Sequence, residues 1–107
     1  MKRIFVEAED FSRKLDELGE VHLLQVIQSE ILKNSEAGIL IQGAGGIRKL
    51  RAGAKGKGKS GGIRVFYLDI PLKEKCYLLF ILRKSEVENI SAKEKKELKE
   101  ISQLLKK

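Results

Sequence analysis

At 107 residues and 42% apolar composition, the chain has room for one core and is too hydrophobic to stay disordered. A single domain spanning residues 1–107 is expected, burying about two-thirds of the surface of its unfolded form. One cysteine and one histidine exclude a disulfide framework and a cysteine–histidine metal cluster, and a net charge of +7 points toward anionic partners.

The opening residues MKRIFVEAED turn acidic too early for a signal peptide, and no apolar run reaches the length of a membrane span. A soluble, cytoplasmic protein without membrane contact is expected. KRIFVEA reads as a first strand, being rich in β-branched and aromatic residues. DFSRKLDELG places Phe11, Leu15 and Leu18 at helical spacing and ends on Gly19. A second amphipathic helix is expected from Glu20 to Lys33, with Val21, Leu24, Ile27, Ile31 and Leu32 on its apolar side and Asn34 closing it. The segment AGILIQGAGGIRKLRAGAKGKGKSGG then carries nine of the ten glycines, with GILIQ and IRKLRA as short strands between them.

Ile63 to Ile70 (IRVFYLDI) and Cys76 to Arg83 (CYLLFILR) are apolar at almost every position, which predicts central strands covered on both faces, joined by a PLKEK turn. Ser91-Ala92-Lys93-Glu94 is a capping-box pattern, and Leu98, Ile101, Leu104 and Leu105 form one stripe on the helix behind it, whose basic end suits the helix dipole. The order β-α-α-β-β-β-β-α with short connections predicts an α+β fold: a mainly antiparallel sheet with helices packed against it.

Charge is distributed unevenly. Residues 37–68 contain no acid and carry Arg48, Lys49, Arg51, Lys55, Lys57, Lys59 and Arg64, while the remainder has fifteen basic and fifteen acidic residues. The entire excess sits in one block, the footprint of a polyanion-binding surface. Within it, GAKGKGKS (53–60) satisfies the phosphate-loop pattern G-x-x-x-x-G-K-[ST]. That loop needs a helix directly after it to supply aligned N–H groups and a positive dipole. Gly61, Gly62 and a β-branched strand follow instead, so the match is compositional and no nucleotide cofactor is implied.

The PLKEK turn centres the hairpin near Lys73, which places Arg64 across from about Leu82, with Lys84 two positions further on at roughly 7 Å. Arg64, Arg83 and Lys84 are thus expected at the open end of the hairpin, where the glycine–lysine loop arrives. Glycine allows close backbone approach, and lysine supplies charge on a long stem. Such a site suits a phosphodiester. RNA carries its own nucleophile, the 2′-hydroxyl, so cleavage requires only orientation, proton transfer and stabilisation of charge on the phosphate. No cofactor or metal is needed, and no metal ligands gather near the block. A lysine crowded by cations gives up its proton more readily and can act as acid or base, while arginine clamps the phosphate.

QGAGGIRKLR, AKGKGKSGGIRVFYL and YLLFILRKSE, followed by a short capped helix, resemble the HigB branch of the RelE-like bacterial toxins, a RelE/ParE-superfamily resemblance that runs nearly the whole chain. It implies a RelE-like fold: a twisted, mainly antiparallel sheet with two N-terminal helices and a C-terminal helix. It further implies an mRNA interferase that cuts mRNA in the ribosomal A site without metal, and a helix-turn-helix, HigA-like antitoxin as partner. On the pattern, Lys55, Lys57, Arg64 and Lys84 would lie closest to the chemistry; Arg48, Lys49, Arg51, Lys59 and Arg83 would bind mRNA and ribosomal RNA. Some relatives carry a base-stacking tyrosine after the last strand, where this chain reads KSEVENI. Tyr67 and Tyr77, inside central strands, are expected in the core, as is Cys76, while His22 stands in sequence remote from the basic block. Glu86 is suited either to pairing with Lys84 or Arg83, or to the first turn of a helical piece. A ParE-like toxin that binds a protein such as gyrase keeps the fold without the cation set, and an RNA-binding module without turnover is a third class.

Overall fold

A computed structural model describes residues 2–52, 62–87 and 90–107. A five-stranded sheet forms its centre, made of β1 (Ile4–Glu7), β2 (Ile39–Leu40), β3 (Arg48–Ala52), β4 (Ile63–Ile70) and β5 (Lys75–Arg83) in the spatial order β1-β5-β4-β3-β2. Helices α1 (Glu9–Leu18) and α2 (Leu23–Lys33) follow β1; α3 (Lys84–Val87) and α4 (Ala92–Lys106) follow β5. The fold is α+β, and every pair of neighbouring strands is antiparallel except β1 and β5.

Both faces of β4 and β5 are covered, as their continuous apolar pattern requires. Phe11, Ile27 and Ile31 pack with Val65, Tyr67, Cys76 and Leu78 on one face. On the other, Leu98 joins Ile47, Phe66, Leu68 and Leu79. We refer to these as the α1/α2 face and the α4 face. Arg3 from the first strand region holds Asp69 through two hydrogen bonds, Nε to Oδ1 at 2.7 Å and Nη2 to Oδ2 at 3.1 Å, which fixes β1 beside the hairpin.

Local signals explain the helix ends. Gly19 adopts φ +63° and its N–H reaches the carbonyls of Leu15 and Asp16, ending α1. Helix α2 begins at Leu23, later than the apolar spacing suggests, because Glu20–His22 form a turn whose Glu20 carbonyl accepts the Leu23 N–H; Val21 is fully turned to solvent. Ser91 and Glu94 close a reciprocal capping box on α4. That helix docks on the β2–β3 turn: Ser102 Oγ and Lys106 Nζ both donate to the Gly45 carbonyl, at 2.5 and 2.7 Å. Gly45 is required there, with φ +69° and a Cβ position 2.8 Å from Ser102 Oγ. Strand β2 is only two residues long, since the backbone turns through Gly43, Gly45 and Gly46, all at positive φ, directly after Ile41.

Candidate functional site

The last rungs of the ladder form the basic end of the sheet. Arg51 pairs with Arg64, which pairs with Leu82; Ala52 pairs with Ile63, which pairs with Arg83. The Arg64–Leu82 register is the one the turn position implies. Directly opposed residues share a face and successive ones alternate. Lys49, Arg51 and Arg64 therefore stand on the α4 face with Phe66, whereas Arg83 stands with Ile63 on the α1/α2 face. The expected cluster of Arg64, Arg83 and Lys84 thus shares one end of the sheet but is divided between two faces by the period of the strand. Lys84 opens α3, and its N–H donates to the Gly62 carbonyl at 2.7 Å, tying the end of β5 to the residue before β4.

Arg64 is buried, at 8% exposure, in a protein whose other buried side chains are almost all apolar. Among the described residues its guanidinium makes one hydrogen bond, from Nη1 to the neighbouring Ile63 carbonyl at 3.0 Å. No described carboxylate pairs with it or with Arg51. Two like charges opposed on one face, with no described carboxylate paired to either, are an arrangement that an anion completes.

Arg48 is engaged differently. It lies on the α1/α2 face opposite Tyr67, donating Nη1 to the Gly38 carbonyl at 2.9 Å and Nη2 to Glu36 Oε2 at 3.2 Å. Tyr67 completes this lock: its hydroxyl donates to the Ser35 carbonyl at 2.7 Å and accepts from the Gly38 N–H at 3.0 Å. Burial raises the Tyr67 pKa, opposed by the Gly38 N–H. Glu86 accepts from the Arg83 N–H at 2.8 Å, the first-turn role of its two alternatives. Cys76 is fully buried and its thiol is pushed up to about 12 by desolvation, as befits a core residue. His22 is exposed at the start of α2. Lys55, Lys57 and Lys59 lie outside the described residues. The strand at Ile63–Ile70 follows the glycine–lysine stretch where a nucleotide-hydrolase loop requires a helix.

Beside Lys49 lies a cleft of about 340 Å³ between the β2–β3 edge and the start of α4, lined by Ile41, Gln42, Val87, Ile90 and Lys95 among others. A second, more apolar groove of about 260 Å³ runs between α4 and the sheet, lined by Phe66, Phe80, Leu82, Ile90 and Ile101 with Glu94 and Glu97. Sequence reasoning did not single out Gln42 or Lys95, which are far apart in the chain.

A mainly antiparallel sheet with two helices on one face and a C-terminal helix on the other has the architecture of a RelE-like fold. A family model described as the RelE toxin of the RelE/RelB toxin–antitoxin system matches residues 2–107, and the chain belongs to that family. It is a toxin of a toxin–antitoxin system, and membership implies an antitoxin partner. No helix among the described residues is long and apolar enough to cross a membrane.

Proposed function

We propose that this toxin is a metal-independent endoribonuclease of the HigB type, cutting mRNA in the ribosomal A site in the cytoplasm and held in check by a HigA-like, helix-turn-helix antitoxin. The observation that carries this reading is the buried Arg64 opposite Arg51, two guanidinium groups on one face without a described carboxylate. In the reaction, the 2′-hydroxyl attacks the adjacent phosphorus as a base removes its proton. The P–O5′ bond breaks, an acid protonates the departing 5′-oxygen, and a 2′,3′-cyclic phosphate and a 5′-hydroxyl result. Arg64 holds the phosphate oxygens, and its hold strengthens as charge accumulates on them. Lys84, Lys55 and Lys57 supply the proton-transfer groups, with Arg51, Lys49, Lys59 and Arg83 gripping the RNA backbone and the ribosome. Arg48 supports the site by bracing the Gly38 turn.

The test is primer extension on a reporter mRNA in a translating extract, with the same mRNA free of ribosomes alongside. Codon-phased cuts that need ribosomes, lost in Arg64→Ala while ribosome binding is largely kept, support the reading. Intact mRNA with intact translation removes it and turns the search to a protein target such as gyrase, as for ParE-like relatives.

A further inference from the structure

We propose that the cleft beside Lys49 is a nucleotide subsite, seating the base of a single-stranded RNA residue next to the phosphate held by Arg51 and Arg64. The inference rests on the ribonuclease reading and adds the place where the protein itself senses sequence. Binding sites for small organic groups begin near about 300 Å³, so a cleft of about 340 Å³ is large enough for one nucleoside.

Its lining matches that occupant. Ile41, Val87 and Ile90 supply apolar walls for the faces of a base. Gln42 is exposed at the rim, and its carboxamide offers two donors and an acceptor for a base edge. Lys49 and Lys95 enter from opposite elements with half-buried stems, the posture in which a lysine lays its methylenes on apolar surface and keeps its charge in water. Neither lysine makes an ion pair among the described residues. The acid next to Lys95, Glu94, is held by the Ser91 N–H and hydroxyl, both at 3.1 Å. The cleft therefore combines two lysines and a carboxamide with apolar wall residues, a mixed lining that suits a nucleotide.

Position supports the assignment. Lys49 and Arg51 share the α4 face two residues apart on β3, roughly 7 Å at strand rise. One nucleotide step of an extended single strand covers a similar distance. RNA lying along β3 with a phosphate on Arg51 and Arg64 thus brings the adjoining nucleotide to Lys49.

The experiment titrates isotope-labelled protein with an uncleavable 2′-O-methyl hexanucleotide and follows backbone amide resonances. Shifts are expected at Gln42, Lys49, Ile90 and Lys95 together with Arg51 and Arg64. Lys95→Ala should weaken binding about fivefold and reduce the log–log salt slope by about 0.7, one phosphate contact on a single strand. Gln42→Ala should reorder the affinities for A-, C-, G- and U-rich hexanucleotides while leaving the salt slope unchanged. Shifts confined to Arg51 and Arg64 overturn the subsite, as does an unaltered salt slope in a folded Lys95→Ala protein. Cleft resonances that move with purified antitoxin and not with RNA also overturn it, making the cleft a protein contact. Wild-type cleavage on ribosomes is measured separately: cutting with a silent cleft removes this inference alone, whereas cleft shifts without cutting remove the ribonuclease reading and keep the subsite.

Discussion

Replacing Arg64 by methionine should separate function from stability. The parent guanidinium is 8% exposed, faces Arg51 across the ladder and, among the described residues, has a single partner, the Ile63 carbonyl. Opposed like charges in a sheet cost about 0.2–1 kcal/mol. Withdrawing a polar head from water with few partners costs about 1–3 kcal/mol more. Against these stands one hydrogen bond from a charged donor, about 1.5 kcal/mol. Methionine removes the charge and keeps an unbranched stem beside Leu82. The net expectation is a protein of unchanged stability or about 1 kcal/mol more stable, a melting temperature raised by up to about 4 °C. Ribosome-dependent cutting should fall about a hundredfold or more, the size of effect seen when a transition-state charge loses a preorganised donor. Thermal denaturation and primer extension on the same preparations decide it. Inorganic phosphate should raise the melting temperature of the parent more than that of the variant, since it stabilises only where it binds. A loss of more than about 1 kcal/mol in Arg64→Met would show that the guanidinium has a stabilising partner, and cutting at the parental rate would sink its assignment to the phosphate.

The other expectations concern the scaffold. Tyr67→Phe strands the Gly38 N–H and the Ser35 carbonyl, and should cost about 2–3 kcal/mol in chemical denaturation; a loss under about 0.5 kcal/mol would mean water replaces the hydroxyl. Arg48→Ala should destabilise the fold by about 1–2 kcal/mol through the same turn, whereas Arg51→Ala should weaken RNA binding without lowering the melting temperature. The reverse pattern would exchange the two roles. Burial pushes the Cys76 thiol from its ordinary value near 9 up to about 12, so above pH 9 the unfolded chain is expected to hold fewer protons than the native one. Stability from this thiol is complete below pH 9 and is lost as pH rises toward 12. The decline should be shallower in Cys76→Ala, and a parallel pH profile for the two proteins would refute the burial argument. At pH 8 the native thiol should resist alkylation until the protein is unfolded.

Legibility followed the range of the physics. Strand β4 and the capping box of α4 were readable because continuous apolar runs and Ser-x-x-Glu report local requirements of the backbone. The turn at Pro71–Lys73 fixed the hairpin and with it the Arg64–Leu82 pair, since a short connection leaves little freedom in register. The parallel pairing of β1 with β5 was not readable: it depends on where two helices return the chain, and its anchor, Arg3 with Asp69, spans 66 residues. The division of Arg64 and Arg83 between faces follows from strand alternation, yet the sequence reading grouped them by proximity to the hairpin end alone. The lock formed by Arg48, Gly38 and Tyr67 was hidden because a basic run looks uniform until each head finds, or lacks, an acceptor.

That contrast is the strongest physical indication of which cations belong to the site. The chain has six arginines. Arg3, Arg13 and Arg48 each meet a carboxylate, Asp69 for the first, Glu9 and Asp10 for the second, Glu36 for the third. Arg51, Arg64 and Arg83 meet none among the described residues, and these three occupy the final two rungs of the β3–β4–β5 ladder. Fifteen acidic residues are available, so a scarcity of carboxylates does not explain the difference. One acid that reaches this end, Glu86, accepts from a main-chain N–H. Guanidinium groups gathered at one place without a described carboxylate, one of them buried, lower stability unless an anion completes the arrangement. Burial favours an anion presented at a fixed position, as a phosphate on an RNA strand is, because a diffuse counterion cloud cannot follow Arg64 beneath the surface.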